Sequence, residues 1–223
     1  DVNEEWISDK TRYACDGLKK RRLDKPYVRI DGKLQPVDWP EAFEAIRKGL
    51  DGVKGDEIAA IAGDQADAET MFLLKELMAS LGSSNLECRQ DGANFDPTVP
   101  AGYLFNSSIA GIEQADVILV VGANPRVEAP LVNARIRKRY LQGGLTVGMI
   151  GVQENLTYPY QYLGAGPQTL ADVIAGNGDF AKALKDAKNP LVIVGMAAFR
   201  RDDGLAVQAE IAKLADTYGM VRE

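Results

Sequence analysis

The sequence predicts an α/β fold: a doubly wound, mainly parallel sheet with flanking helices. Three observations carry this. Short runs of branched apolar residues, with Val117–Val121 the clearest, alternate with stretches of helical period. Those runs are apolar at consecutive positions, as in strands covered on both faces rather than one. Glycine turns follow them, where a strand must reverse into a helix.

The elements follow in chain order. The segment before Leu23 has no sustained period, and its Trp6, Lys10, Arg12 and Tyr13 suggest an extension packed onto something larger. Residues 27–30 and 33–37 flank Asp31-Gly32, a pair that supplies the two positive-φ positions of a tight hairpin. Asp38 stands three residues before Glu41, a capping-box-like start for a helix to about Leu50 with Phe43, Ile46 and Leu50 on one face. Residues 57–62 read as a buried strand turning at Gly63-Asp64. A helix over 67–81 then carries Met71, Leu74, Leu77 and Met78 and ends at Gly82, which suits a left-handed C-cap. A short strand near Asn85 and Leu86 leads into 88–105, longer than an unstructured loop usually is unless it has a partner.

A short helix to Gln114 precedes the 117–121 strand, and Gly122-Ala123-Asn124-Pro125 is the turn at its carboxyl end. A helix over 129–141 carries Arg135, Arg137, Lys138 and Arg139, and 145–150 returns as a strand. The Gly-, Tyr- and Pro-rich stretch 151–167 reads as a boundary. Beyond it, helices near 169–175 and 180–187, a strand at 190–195 and a helix at 203–218 read as the start of a second, truncated α/β unit. The expected organisation is therefore 1–52 (extension, hairpin and first helix), 53–165 (doubly wound domain) and 166–223 (second unit). Asp1 in place of Met, and strand-like residues at 219–223, read as a piece of a longer chain.

Composition narrows the chemistry. With 46% apolar and 26% charged residues the chain is globular rather than disordered. Its apolar runs fall far short of the roughly 20 residues a membrane helix needs, so no direct membrane insertion is expected. A net charge of -6 argues against nucleic acid as a general partner, and Lys19-Lys20-Arg21-Arg22 reads as solvated surface, with docking as the alternative. Histidine is absent, which removes the commonest general base and the imidazole metal ligand together. Cys15 and Cys88 are the only thiols. They are too few for a four-thiolate cluster and too distant to form a disulfide framework, which fits a reducing compartment. Cys88 alone reads more readily as an inert buried residue than as a nucleophile or ligand. No catalytic residue is assigned.

In an open α/β sheet the place for a ligand is outside the carboxyl ends of the strands. Gly122, Asn124 and Pro125 stand there: glycine admits a close-approaching phosphate, Asn124 a base or ribose, and the following helix start an anion. The loop is not a G-x-G-x-x-G fingerprint, and turn chemistry accounts for the same residues. Ala62-Gly63-Asp64 is a second candidate lip on what should be the same sheet edge, again open to a turn reading.

Three stretches together resemble the molybdopterin oxidoreductases. The family order of an Asn-Glu and Asp-Lys segment, an Arg-Leu-x-x-Pro and a Trp-x-x-Ala helix appears here as Asn3-Glu4 with Asp9-Lys10, Arg22-Leu23-Asp24-Lys25-Pro26, and Trp39-Pro40-Glu41-Ala42. Residues 106–109 and 115–125 are similar to the family's dinucleotide-cofactor region. The opening run to Leu18 looks nearest to the large iron-sulfur subunits of NADH-quinone oxidoreductase, respiratory complex I.

The resemblance implies a formate dehydrogenase/DMSO reductase-like fold. It also implies iron-sulfur clusters on a preceding N-terminal region, the other peripheral-arm subunits as partners, and a peripheral location on the cytoplasmic side of a bacterial inner membrane or the mitochondrial matrix side. Two departures bear on function. Ser8 stands where cluster-bearing relatives place a cysteine, and Arg89-Gln90-Asp91-Gly92-Ala93-Asn94 lacks the thiol or hydroxyl that molybdenum enzymes place there. Asp91 remains a carboxylate able to bind a metal. The expectation is a cofactor-free scaffold, with Gly122, Asn124 and Pro125 as a vestigial pocket. The alternative is a catalytic bis-molybdopterin guanine dinucleotide enzyme of the formate dehydrogenase type.

Overall fold

The computed structural model describes residues 5–88 and 91–221. The chain divides into two compact units, 10–90 and 91–223, the latter joined by 1–9. Each is built by its own local rules.

In the first unit the opening segment forms a short exposed helix, α1 (Asp9–Ala14), where none was expected. The hairpin of β1 (Tyr27–Ile30) and β2 (Lys33–Pro36) forms in the expected register, Ile30 opposite Lys33, with Asp31 and Gly32 both at positive φ (49° and 78°). Helix α2 (Trp39–Gly49) begins as foreseen: Asp38 accepts the Glu41 N–H at 3.0 Å. Its expected apolar face is present, but Trp39, Phe43 and Ile46 are exposed and only Ala42 is buried. Strand β3 shrinks to Ala60–Ile61 behind a 3-10 turn, Gly55–Glu57. The reason is local: the Ile58 carbonyl, which a longer strand would give to its neighbour, accepts from Ser83 Oγ (2.6 Å) and Asn85 Nδ2 (3.2 Å) instead. Helix α3 (Ala68–Ser80) is capped by Asp67, and β4 (Leu86–Glu87) pairs with β3 in parallel. A Cβ on Gly55 would lie 2.2 Å from the Gly82 carbonyl oxygen, so glycine lets the 3-10 turn before β3 pass the residues that follow α3.

The second unit holds β5 (Val117–Val121), α4 (Pro125–Glu128), α5 (Pro130–Leu141), β6 (Thr146–Ile150), β7 (Gln161–Gly164), α6 (Pro167–Ile174), α7 (Gly178–Asp186), β8 (Pro190–Val194) and α8 (Gly204–Thr217). Its strands form one parallel four-stranded sheet in the order β7-β6-β5-β8. Every residue of β5 is buried. On one face Ile118, Val120, Val147 and Met149 share a cluster with Ile136 of α5; on the other Val117, Leu119 and Val121 share one with Leu170, Phe180 and Leu214 from α6, α7 and α8. Helices on both faces of a parallel sheet make it doubly wound, as the sequence predicts.

Two expectations are corrected. The strand expected to open a second α/β unit is β8, and it pairs with β5 over its whole length, Val117 opposite Pro190 to Val121 opposite Val194. The same sheet is completed rather than a new one begun. Asp116 holds this junction: its carboxylate accepts the Lys188 and Asn189 N–H groups at 2.7 and 3.0 Å. Burial alone would raise that carboxyl's pKa, but backbone N–H donors, those of Lys188 and Asn189 foremost, outweigh it and hold it below the ordinary range. Likewise, the stretch expected as a boundary is stitched into the core. Leu156 and Tyr158 are buried, Asn133 of α5 donates to the Leu156 carbonyl (3.1 Å), and the Tyr158 hydroxyl donates to Asn133 Oδ1 (3.0 Å). Burial pushes the Tyr158 phenol well above its usual range.

The basic helix α5 is largely spent on its own unit. Arg135 and Lys138 both pair with Glu113, and Arg139 donates to the Ala115 and Gly143 carbonyls.

Candidate functional site

In the second unit each strand of the sheet ends at a glycine: Gly122 after β5, Gly151 after β6, Gly164 closing β7 and Gly195 after β8. The chain exits therefore pass one another closely. The Gly122 N–H donates to the Ile150 carbonyl and the Gly195 N–H to that of Val121, each at 2.9 Å. A Cβ at Gly195 would sit 2.3 Å from the Gly122 oxygen, and Gly122 itself lies at φ 57° against Ala198. Above this crossing opens a crevice of about 300 Å³. It is lined by the segments that follow β5, β6, β7 and β8, outside the carboxyl ends of the strands, the usual ligand position in such folds.

Gly122 and Asn124 line the crevice as expected. Pro125 does not; it is buried as the first residue of α4, where its fixed φ suits a helix start. The Asn124 backbone N–H donates to Glu128 Oε1 at 2.7 Å, and its carbonyl accepts from the Val127 and Glu128 N–H groups. Its side-chain Oδ1 is buried with no hydrogen-bond partner among the described residues. Such an acceptor is costly, by roughly 1–3 kcal/mol, unless a donor meets it.

Contrary to the expectation from sequence, Ala62-Gly63-Asp64 does not share this sheet's edge: it follows β3, which pairs with β4 in a separate two-stranded sheet. Sequence reasoning missed the other walls: Gly166 and Pro167 at the start of α6, and Ala197, Ala198 and Arg201 after β8. A glycine after each of the apolar runs that became β5, β6 and β8 was the available signal, whereas the α6 wall follows β7, which has no such run.

The charges on the walls are mostly acidic. Glu128 and Glu154 line the crevice, and the lining cation Arg201 donates from Nε and Nη2 to Asp203 at 2.6 and 2.8 Å.

Arg89 and Gln90 lie outside the described residues, as do residues 1–4 and 222–223 of the other quoted motifs. Asp91 is described, and it is engaged: it accepts the Ala93 N–H at 3.1 Å and pairs with Arg200 at 3.4 Å. The Ala93 N–H first, then Arg200, hold its carboxyl below the usual range. The rest of the long loop docks on α8. Asn94 N–H donates to the Phe199 carbonyl, Gln208 bonds both the N–H and the carbonyl of Asp96, and Phe95 lies against Phe199 and Tyr103. Cys88, read from sequence as buried, is exposed just past β4, and Cys15 is exposed too. Ser8 sits directly before α1. Among the described residues no three His, Cys, Asp or Glu side chains gather as a metal site, and no helix is long and apolar enough to cross a membrane.

A parallel sheet with helices on both faces and a crevice outside the carboxyl ends of its strands defines a doubly wound α/β domain. Residues 22–223 match the family described as Molybdopterin oxidoreductase, and residues 1–16 match that described as NADH-ubiquinone oxidoreductase NDSU1/NuoG-like, 4Fe-4S domain. The chain belongs to the molybdopterin oxidoreductase family. It is 46% identical over 222 residues to an NADH-quinone oxidoreductase subunit of Rickettsia prowazekii, covering all of this chain and 33% of that protein. It is 44% identical over 223 residues to the mitochondrial NADH dehydrogenase [ubiquinone] iron-sulfur protein 1 of Solanum tuberosum, covering all of this chain and 30% of that protein. The chain thus spans about a third of the length of these relatives.

Proposed function

We propose that this chain is a non-catalytic scaffold domain within the large iron-sulfur subunit of an NADH-quinone oxidoreductase, with a formate dehydrogenase/DMSO reductase-like fold whose pterin cofactor has been lost. The subunit passes electrons from NADH toward quinone through clusters borne on other residues, and this domain packs against the other subunits of the peripheral arm. That arm lies on the cytoplasmic side of a bacterial inner membrane, or the matrix side in mitochondria.

The observation that carries the reading is the state of the carboxylates and cations around the crevice. A pterin dinucleotide brings a pyrophosphate, which needs cationic or N–H partners. Here the lining offers Glu128 and Glu154, and its arginine is already held by Asp203. Asp91, the carboxylate left in the loop that resembles the metal-ligand loop, is committed to Arg200 and the Ala93 N–H. The residues do not fit the cofactor, and no redox step is assigned to them. Gly122 and Asn124 are then remnants of a cofactor pocket, with Pro125 serving the turn behind it.

Acid extraction of the purified full-length protein followed by fluorescence tests this. No pterin emission above a blank is expected; a stoichiometric pterin signal favours the catalytic bis-molybdopterin alternative and ends the scaffold reading.

A further inference from the structure

We infer that the exposed segment 10–25 of the first unit is a docking surface for an acidic protein face, carried by another subunit of the assembly. This rests on the packing role proposed above and deepens it, but it does not depend on the loss of the pterin.

The charge of the chain is segregated. Residues 10–25 hold seven Lys and Arg against Asp16 and Asp24, a net +5 in a chain of -6, so the other 207 residues carry -11. Every residue of the segment is exposed. Elsewhere several cations are answered within the chain: Arg47 meets Glu44, Arg135 and Lys138 meet Glu113, Arg200 meets Asp91 and Arg201 meets Asp203. Here the side chains of Lys19, Lys20, Arg21, Arg22 and Lys25 meet no carboxylate among the described residues. Four of these are consecutive, and like charges so close repel one another. Arg21 adds backbone strain, for it lies at φ 53°, a left-handed conformation that glycine enters freely and other residues at a cost. Neither the repulsion nor the strain helps this unit to fold, so the cations serve a contact made outside it.

The neighbouring side chains say what kind of contact. Tyr13, Leu18 and Leu23 are 76%, 65% and 83% exposed and alternate with the cations along the segment. Aromatic, aliphatic and arginine side chains together are the composition of a protein interface with an apolar centre and a charged rim. A phospholipid or nucleic-acid surface is anionic throughout, and it would oppose Asp16 and Asp24 as well as the -11 on the remaining residues. A protein face sets its carboxylates singly, so it can meet the cations and spare the two aspartates.

Acetylation of the Lys19, Lys20 and Lys25 amines, followed by mass spectrometry, tests the inference on the free full-length subunit and on the intact assembly in detergent. Rates about tenfold lower in the assembly are expected, and carbodiimide coupling should join these lysines to Asp or Glu of another subunit. The combined variant Lys19→Gln, Lys20→Gln, Arg21→Gly and Arg22→Gln removes both the repulsion and the strain, so its free subunit should melt no lower than the parent. Its association with the remaining subunits should nevertheless weaken about tenfold and become less sensitive to salt. Equal acetylation in the free subunit and the assembly, coupling confined to carboxylates of its own chain, or unchanged association of the variant overturns the inference. Sedimentation of the free subunit with phosphatidylglycerol vesicles, lost in the variant, overturns it in favour of a membrane surface. Failure of any of these leaves the pterin result untouched, and pterin in the acid extract leaves this surface standing.

Discussion

Leu119→Ala is expected to destabilise the chain by about 3–5 kcal/mol, the upper part of the range for truncating a fully buried leucine. Leu119 is 0% exposed on the central strand and shares its cluster with residues of α6, α7 and α8, so the cavity cannot collapse without moving several elements. Urea unfolding should show a lower midpoint at an unchanged slope, since the surface exposed on unfolding stays the same. The matched control is Leu73→Ala: that side chain is 65% exposed, and its loss should register at no more than about 0.5 kcal/mol in the same titration. Equal costs at the two positions would mean that the sheet is not the core of the second unit.

Gly195→Ala is the second large effect, and it connects stability to the crevice. The added methyl would sit 2.3 Å from the Gly122 oxygen and 2.7 Å from Ala123 Cβ, and the first of these is backbone that cannot rotate away. Overpacking of this kind costs about 1–3 kcal/mol. The displaced segment is the one that carries Asn124. Amide hydrogen exchange should therefore quicken first at Gly122 and Gly195, whose N–H groups bond the Ile150 and Val121 carbonyls across the exits. Gly63→Ala has open space around it and is the neutral comparison. Unchanged exchange at Gly122 in the Gly195→Ala chain would show that the two exits do not constrain each other.

What could be read from the residues alone follows the strength of local signals. β5 was plain because five branched apolar residues between turns admit little else, and the hairpin was plain because Asp31-Gly32 suits a turn with two positive-φ positions. Strand β7 was missed because Gln161 and Tyr162 are exposed at the sheet edge and carry no apolar alternation. The false boundary at 151–167 arose because Gly, Tyr and Pro usually mark loops, whereas here Leu156, Tyr158 and Asn133 bind that loop to the core through contacts made only in three dimensions. The second α/β unit was misread for the same reason: nothing local to Pro190–Val194 tells which strand it will pair with.

The candidate site was legible in outline. Position at the end of β5 pointed to Gly122 and Asn124, but the walls from α6 and from the segment after β8 lie more than forty residues away in sequence and meet only through the sheet. The commitments of Asp91 to Arg200, of Arg201 to Asp203, and of Arg135 and Lys138 to Glu113 could not be foreseen from spacing, and the second of them occupies the arginine that lines the crevice beside Glu128 and Glu154.

The most direct measurement is elemental: molybdenum and tungsten determined by mass spectrometry on the intact subunit in its native assembly, alongside iron as the internal standard for its clusters. A scaffold domain predicts iron at cluster stoichiometry with neither heavier metal above background. One molybdenum or tungsten per subunit would contradict it.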